Sequence, residues 1–292
     1  MPPRIVVRTA GLLLFLLASA GPVRAANAER PLVVGSIRPL YLIVLALAGD
    51  RVDTRQLLDA GSSAHDFALR PSQLRLLGDA RQVFWIDPAL EHPLLPLLAR
   101  LPGPRRDTAL LPSLGLPPRA DGVVDPHVWL DPVLMQQMST AVADALAEAD
   151  PANAQTFQDN AAALNEELAT LNTDWAQGTA NCEIDTLVVS HEAFGYLAAQ
   201  YGFEQRGISG LTPENEPSAA AIAELAEFVN ANGVTTVYTE TLVDPAVAET
   251  VAAEAGVQTA VLDPLEGPPA EGDYLSAMRD NLETVKAGQN CS

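Results

Sequence analysis

Residues 151–178 read PANAQTFQDNAAALNEELATLNTDWAQG. Within them Phe157, Ala161, Leu164, Leu168, Leu171 and Trp175 stand four, three, four, three and four residues apart, the spacing of one face of an α-helix. Pro151 and Gly178 bracket the stripe, so the stretch predicts one helix of about 27 residues, roughly 40 Å long at a 1.5 Å rise. The stripe alone suits any amphipathic core helix. Its length exceeds an ordinary crossover, however, and it falls at the midpoint of the 292-residue chain, where a rod can run along two lobes and join them stiffly.

Outward from this helix the two flanks have the same grammar. On the N-terminal side come PLVVGSI, YLIVLALAGD, RVDTRQLL, PSQLRLLGDA, VFWID and PALEHPLLPLLARL; on the C-terminal side DTLVVS, HEAFGYLAAQYG, FEQRGI, SAAAIAELAEFVNANG, TTVYTE, DPAVAETVAAEAG, TAVLD and a last helix from about Tyr274. Short β-rich runs alternating with helical ones predict an α/β fold with mainly parallel sheets. Asp244 and Pro245 form a helix start and Gly256 a stop. The Pro-rich LPGPRRDTALLPSLGLPPRADG reads as a surface connection within the first lobe. The expected organisation is a leader over 1–28, an N-terminal α/β lobe over 29–150, a linker helix over 151–178 and a C-terminal α/β lobe over 179–292.

The first 28 residues have Arg4 and Arg8, an apolar run from Ala10 to about Ala20, and small residues at Ala26 and Ala28, the pattern of a cleaved signal peptide. The run is too short for a membrane span, which takes about 20 residues. No cysteine follows it before Cys182, which disfavours a lipid anchor and places the mature protein free in the periplasm. Residues 1–28 also carry Arg24 and no acid, so the formal charge of −20 would become −23 over the remaining 264 residues. Such a surface repels nucleic acid and anionic lipid. Cys182 and Cys291 are the only cysteines; in an oxidising compartment, with no reactive motif around them, they are expected to pair as a structural disulfide.

Chemistry can sit at four histidines. His191 directly follows DTLVVS, at the carboxyl end of a strand, where open α/β sheets place ligands. His65 lies in a Gly/Ser loop, His127 in DPHVWLDP before an expected short strand, and Asp263 follows TAVL. Three imidazoles and a carboxylate suit Zn²⁺ and serve Mg²⁺ or Ca²⁺ poorly. Spacing alone is weak here, because the ligands are about 60 residues apart and no helical HExxH occurs.

Taken together, AGSSAHDFALRPSQLRLLGDA, DPHVWLDP, VVSHEAFGYLAAQYGF, ISGLTPENEPSAAAIAEL, VYTE and VLDPL resemble the zinc-type metal receptors of ABC importers, the periplasmic solute-binding proteins of cluster A-I or cluster 9. The likeness implies two α/β lobes on one long rigid helix, with metal in the cleft. It implies His65, His127, His191 and Asp263 as the four ligands, Zn²⁺ as the transported ion, a membrane permease as partner, and a monomer that is not an enzyme. A periplasmic metal donor protein is a further conceivable partner. Manganese receptors of this kind carry Glu at the third place; His191 stands there, so zinc is favoured over a manganese reading. The His-rich loop that many zinc members carry before the second ligand has no counterpart in PPRADGVVDPH. Glu240 and Asp131 are placed to accept a hydrogen bond from a ligand imidazole; Trp129, Phe67 and Phe194 read as packing, and His92 as a surface or helix-terminal histidine. A periplasmic zinc hydrolase is the alternative class, and it would need three protein ligands and an open water position.

Overall fold

The computed structural model describes residues 30–59, 61–65, 67–213, 217–267 and 273–292. The leader over 1–28 lies outside the described residues, as do Glu214, Asn215 and Glu216 of the ISGLTPENEP motif. The first half runs β1 (Leu32–Gly35), α1 (Arg38–Ala48), β2 (Asp53–Gln56), α2 (Pro71–Asp79), β3 (Gln82–Trp85), α3 (Leu94–Leu98), β4 (Arg106–Ala109) and α4 (Pro132–Ala149). After α5 (Ala154–Gly178) the second half runs β5 (Thr186–Val189), α6 (Gly195–Tyr201), β6 (Glu204–Gly207), α7 (Ala219–Ala231), β7 (Thr236–Thr239), α8 (Ala246–Ala255), β8 (Gln258–Val261) and α9 (Tyr274–Gly288). Each half builds one wholly parallel four-stranded sheet, ordered β2-β1-β3-β4 in the first and β6-β5-β7-β8 in the second. The fold is thus two parallel-sheet α/β domains flanked by helices.

Side-chain alternation along the strands sorts the cores. Leu187 and Val189 of β5 and Tyr238 of β7 point into the large core that also holds β1, β3, α4 and α5. Val188 and Val237 point the other way, into a smaller core under α7 and α8 with Leu225, Val229, Val251 and Ala252. The large core is therefore common to both domains.

The 25-residue α5 is the reason. Phe157, Ala161, Leu168, Leu171 and Trp175 are buried along one side of it and Leu164 is half-buried, and the helix packs on α1 and α4 of the first domain and α9 of the second. Burying a large side chain contributes about 1.5–3 kcal/mol. Tilting one domain against α5 would expose several of these at once, so the helix resists hinging. Near its end Cys182 is joined by a disulfide to Cys291. Beside that bond, Gln289 Nε2 donates to the carbonyls of Ile184 and Thr186, and Tyr238 Oη donates to Gln289 Oε1.

Two segments depart from the sequence reading. The Pro-rich surface connection contains a strand, β4, on the edge of the first sheet; its RDTA is polar because it is largely exposed, so hydropathy gave no signal. PALEHPLLPLLARL forms a helix only over Leu94–Leu98. Before it the chain turns around Glu91, which is fully buried and accepts from Ile86 N (2.7 Å), Asp87 N (3.0 Å) and Ser36 Oγ. Glu91 is therefore an interior clamp of this turn. Burial pushes its carboxyl up to about 7, against those hydrogen bonds.

Candidate metal centre

Four loops leave the carboxyl ends of β2, β4, β5 and β8 and converge between the two sheets, the place where parallel sheets collect ligands. They carry His65, His127, His191 and Glu266, whose ligand atoms all lie within 4.8 Å of one another. His127 Nε2 is 3.2 Å from His65 Nε2 and 3.3 Å from His191 Nε2. Glu266 Oε1 is 3.3 Å from His65 Nε2, 3.7 Å from His191 Nε2 and 3.8 Å from His127 Nε2. Donors about 2.0–2.1 Å from a tetrahedral Zn²⁺ are separated by about 3.3–3.4 Å. The cage is thus zinc-sized, with its carboxylate slightly drawn back.

The ring nitrogens turned away from the cage fix its chemistry. His127 Nδ1 is 2.7 Å from Asp125 Oδ1, and His191 Nδ1 is 2.8 Å from both Glu240 oxygens. A carboxylate only accepts, so both Nδ1 atoms carry the proton and both Nε2 atoms present lone pairs. Two lone pairs 3.3 Å apart repel unless a cation lies between them or one of the rings is protonated. Asp125 also accepts from His127 N, and Glu240 from His191 N, so each carboxylate orients ring and backbone together.

The surroundings separate the two rings electrostatically. Burial lowers the His127 pKa, and Asp125 opposes it only in part. Burial also acts downward on His191, but the hydrogen bond and charge of Glu240, helped by Glu266 and Asp125, prevail and raise it. Burial acts upward on Glu266; contact with His65 and the charges of the three imidazoles overcome it and hold the carboxyl at about 2.

Of the residues expected from sequence, His65, His127 and His191 come together. Asp263 does not join them: its Oδ1 accepts from Leu265 N at 2.8 Å, and Asn281 of α9 grips its backbone on both sides (2.9 and 2.7 Å). It caps the turn that carries Glu266, three residues on. In that turn Leu265 has φ +61°, a left-handed conformation that costs a branched residue on the order of 1–3 kcal/mol, and Glu266 is thereby delivered to the rings. Its second oxygen reaches across the cleft to Ala64 N (3.2 Å) and Ser63 Oγ (3.3 Å) in the loop of His65.

Glu240 holds a ligand-type imidazole in the way expected of it. Asp131 does not; it accepts from Val133 N and Leu134 N as the N-cap of α4, and Asp125 takes the role at His127. The reason is local, since Val128–Leu130 is a 3-10 turn and not a strand, which sets the residue two before His127 against the ring. Gly195 leaves room for this carboxylate: a Cβ there would lie 2.9 Å from Asp125 Oδ2. Trp129 and Phe194 are fully buried and Phe67 nearly so. His92 is exposed beside α3. At the rim Arg119 Nη2 donates to Glu192 Oε2 at 2.6 Å, linking the two domains.

Partners of ligand imidazoles usually account for 10–100-fold in metal affinity. Asp125→Asn and Glu240→Gln are each expected to weaken zinc binding by about that factor while leaving the far-ultraviolet circular dichroism unchanged. An unaltered Kd in a competition assay against a chelating dye would contradict the tautomer assignment.

The described residues contain no helix long and apolar enough to cross a membrane. The zinc-binding lipoprotein AdcA of Streptococcus pneumoniae (strain ATCC BAA-255 / R6) is 34% identical over 275 residues, covering 87% of this chain and 55% of its own. The chain thus spans about half the length of these streptococcal relatives. The high-affinity zinc uptake system protein ZnuA of Bacillus subtilis (strain 168) is 28% identical, with 87% of this chain and 86% of its own covered. Among solved structures, Streptococcus pneumoniae AdcAII superposes with a TM-score of 0.84 at 29% identity over 89% of this chain and 99% of its own. Zn(II)-bound AdcA from Streptococcus pneumoniae superposes with 0.79 at 33% identity over 90% and 58%. Residues 33–288 match the family described as zinc-uptake complex component A, periplasmic, and the chain belongs to that family.

Proposed function

We propose that this chain is an extracytoplasmic receptor that captures Zn²⁺ and passes it to the membrane permease of an ABC importer. The observation that carries the reading is the pair of Nε2 lone pairs held 3.3 Å apart by Asp125 and Glu240, with His65 and the Glu266 carboxylate completing a zinc-sized tetrahedron. His65 and His127 supply the first domain's ligands, His191 and Glu266 the second's. Zinc fits better than manganese, because three imidazoles and one carboxylate form a borderline-soft set. Four protein donors leave no open water position, which favours carriage over hydrolysis.

In this reading residues 1–28 are the export leader, the mature chain works in the periplasm as a monomer, and a metal donor protein is an additional partner. The units 29–150 and 179–292 stay fixed on the helix between them, and zinc leaves by movement of the His65 loop once Glu266 releases Ser63 and Ala64. The relatives named above as zinc-binding or zinc-uptake proteins support this assignment.

The test is calorimetric titration of chelator-stripped protein with Zn²⁺ and Mn²⁺. Glu266→Ala is expected to weaken zinc binding at least 10-fold, on the order of a lost partner at a metal site, and Asp263→Ala to act less, through the shape of its turn. The opposite ranking would return the fourth position to Asp263. Tighter binding of Mn²⁺ than of Zn²⁺ would replace the cargo.

A further inference from the structure

The cage depends on a distance between two domains, and that distance is held by a pair of side chains outside it. Trp129 follows His127 by two residues, is fully buried, and has its ring centroid 5.4 Å from the His127 ring. Its Nε1 donates across the cleft to the carbonyl of Pro264 at 2.8 Å, two residues before Glu266. In return Tyr274 Oη, at the start of α9 and 5% exposed, donates to the carbonyl of Trp129 at 2.7 Å.

We infer that Trp129 and Tyr274 are positioning residues for metal selectivity: they clamp the turn of His127 to the turn of Glu266 and so hold the cage at the size of a four-coordinate ion. This rests on the zinc-receptor reading above. Each hydrogen bond ends on a main-chain carbonyl two residues from a ligand-bearing position, so losing the first frees the Glu266 turn to retreat from the rings and losing the second frees the His127 turn to draw away from it. Retreat would cost a tetrahedral ion a ligand. Manganese, which accepts more ligands, oxygen donors and water, would lose little. The left-handed Leu265 lies between Pro264 and Glu266, so the clamp also acts on a segment with reason to relax.

Tyr274→Phe removes one hydroxyl, and Trp129→Phe removes the indole N–H. Trp175→Phe, another fully buried tryptophan in the same core, is the control for loss of a buried indole. Zinc and manganese affinities are measured for each, together with the visible spectrum of the Co²⁺-substituted protein, whose absorption is intense when cobalt is tetrahedral and weak when it is octahedral. The expected result is a 10–100-fold fall in the zinc-to-manganese affinity ratio and weakened cobalt bands in Tyr274→Phe and Trp129→Phe, with neither change in Trp175→Phe. An unchanged ratio and spectrum in both variants, beside normal zinc binding by the wild type, would overturn the positioning role and leave the receptor reading intact. The same loss in Trp175→Phe would reduce it to general core packing. A wild-type chain that binds no zinc would remove both.

Discussion

Stripping zinc is expected to lower the midpoint of thermal unfolding by about 8–16 °C when compared with protein at a free zinc concentration 1,000 times its Kd. A ligand bound only by the native state stabilises it by RT ln(1 + [L]/Kd), about 4.1 kcal/mol at that excess, and each kcal/mol moves the midpoint by roughly 2–4 °C in a protein of this size. The four candidate donors come from four loops and both domains, so an unfolded chain offers no comparable cage. The interval should shrink as pH falls, because zinc and protons compete for the same lone pairs.

The direction of each shift orders that competition. The raised pKa of His191 means that it takes a proton first as pH drops, above the ordinary imidazole value of 6.5; His127, lowered by burial, resists until further below. In the metal-free protein the two act oppositely. Stability from His191 is full below its unfolded pKa and is lost as pH rises through the folded one, whereas His127 withdraws stability as pH falls below 6.5 toward its folded value. Glu266, held at about 2, contributes fully above the unfolded value of 4.5 and loses its contribution only as pH falls from there toward 2. It is therefore silent between pH 5 and 8. Scanning calorimetry with and without chelator at pH 8, 7, 6 and 5 checks this; an interval that stays constant down to pH 5 would rule out imidazole ligation.

The second large effect is expected from the disulfide. Cys182 and Cys291 are 109 residues apart in sequence, and closing a loop of that length removes denatured-state entropy worth about 4.8 kcal/mol. The double substitution Cys182→Ser with Cys291→Ser should lower the urea midpoint correspondingly, by about 2.4 M if m is near 2 kcal/mol per M. Zinc affinity should fall much less, because α9 remains held through Gln289 and through Asn281. A shift below about 1 kcal/mol would show that the metal-free, reduced chain keeps that end of the fold ordered in its unfolded state.

How far the sequence could be read varied with the range of the forces involved. The long helix, the strand-helix alternation and the histidines at strand ends were legible, because periodicity and strand termini are local signals. Glu266 was not. Asp263 and Glu266 occupy one short turn, and which carboxylate faces the rings is decided by the backbone of Leu265 and by Asn281, eighteen residues away. The exchange of Asp131 for Asp125 has the same origin: both flank His127, and the 3-10 turn selects between them. β4 escaped notice because an exposed edge strand needs no apolar pattern. The PALEHPLLPLLARL stretch misled through its leucines, while Pro93, Pro96 and the interior role of Glu91 kept the helix short.

The segment from α9 onward reaches back to the loops around the candidate centre at two points, Tyr274 at the carbonyl of Trp129 and Asn281 at the backbone of Asp263, and Cys291 ties it to Cys182 at the start of the second domain. All three cage histidines precede this segment in the sequence. Without it the backbone of Asp263 and the carbonyl of Trp129 lose partners, and the turn that brings Glu266 to the rings loses part of its support. The histidines by themselves therefore do not complete the site: the arrangement that gathers His65, His127, His191 and Glu266 also depends on the C-terminal helix being in place.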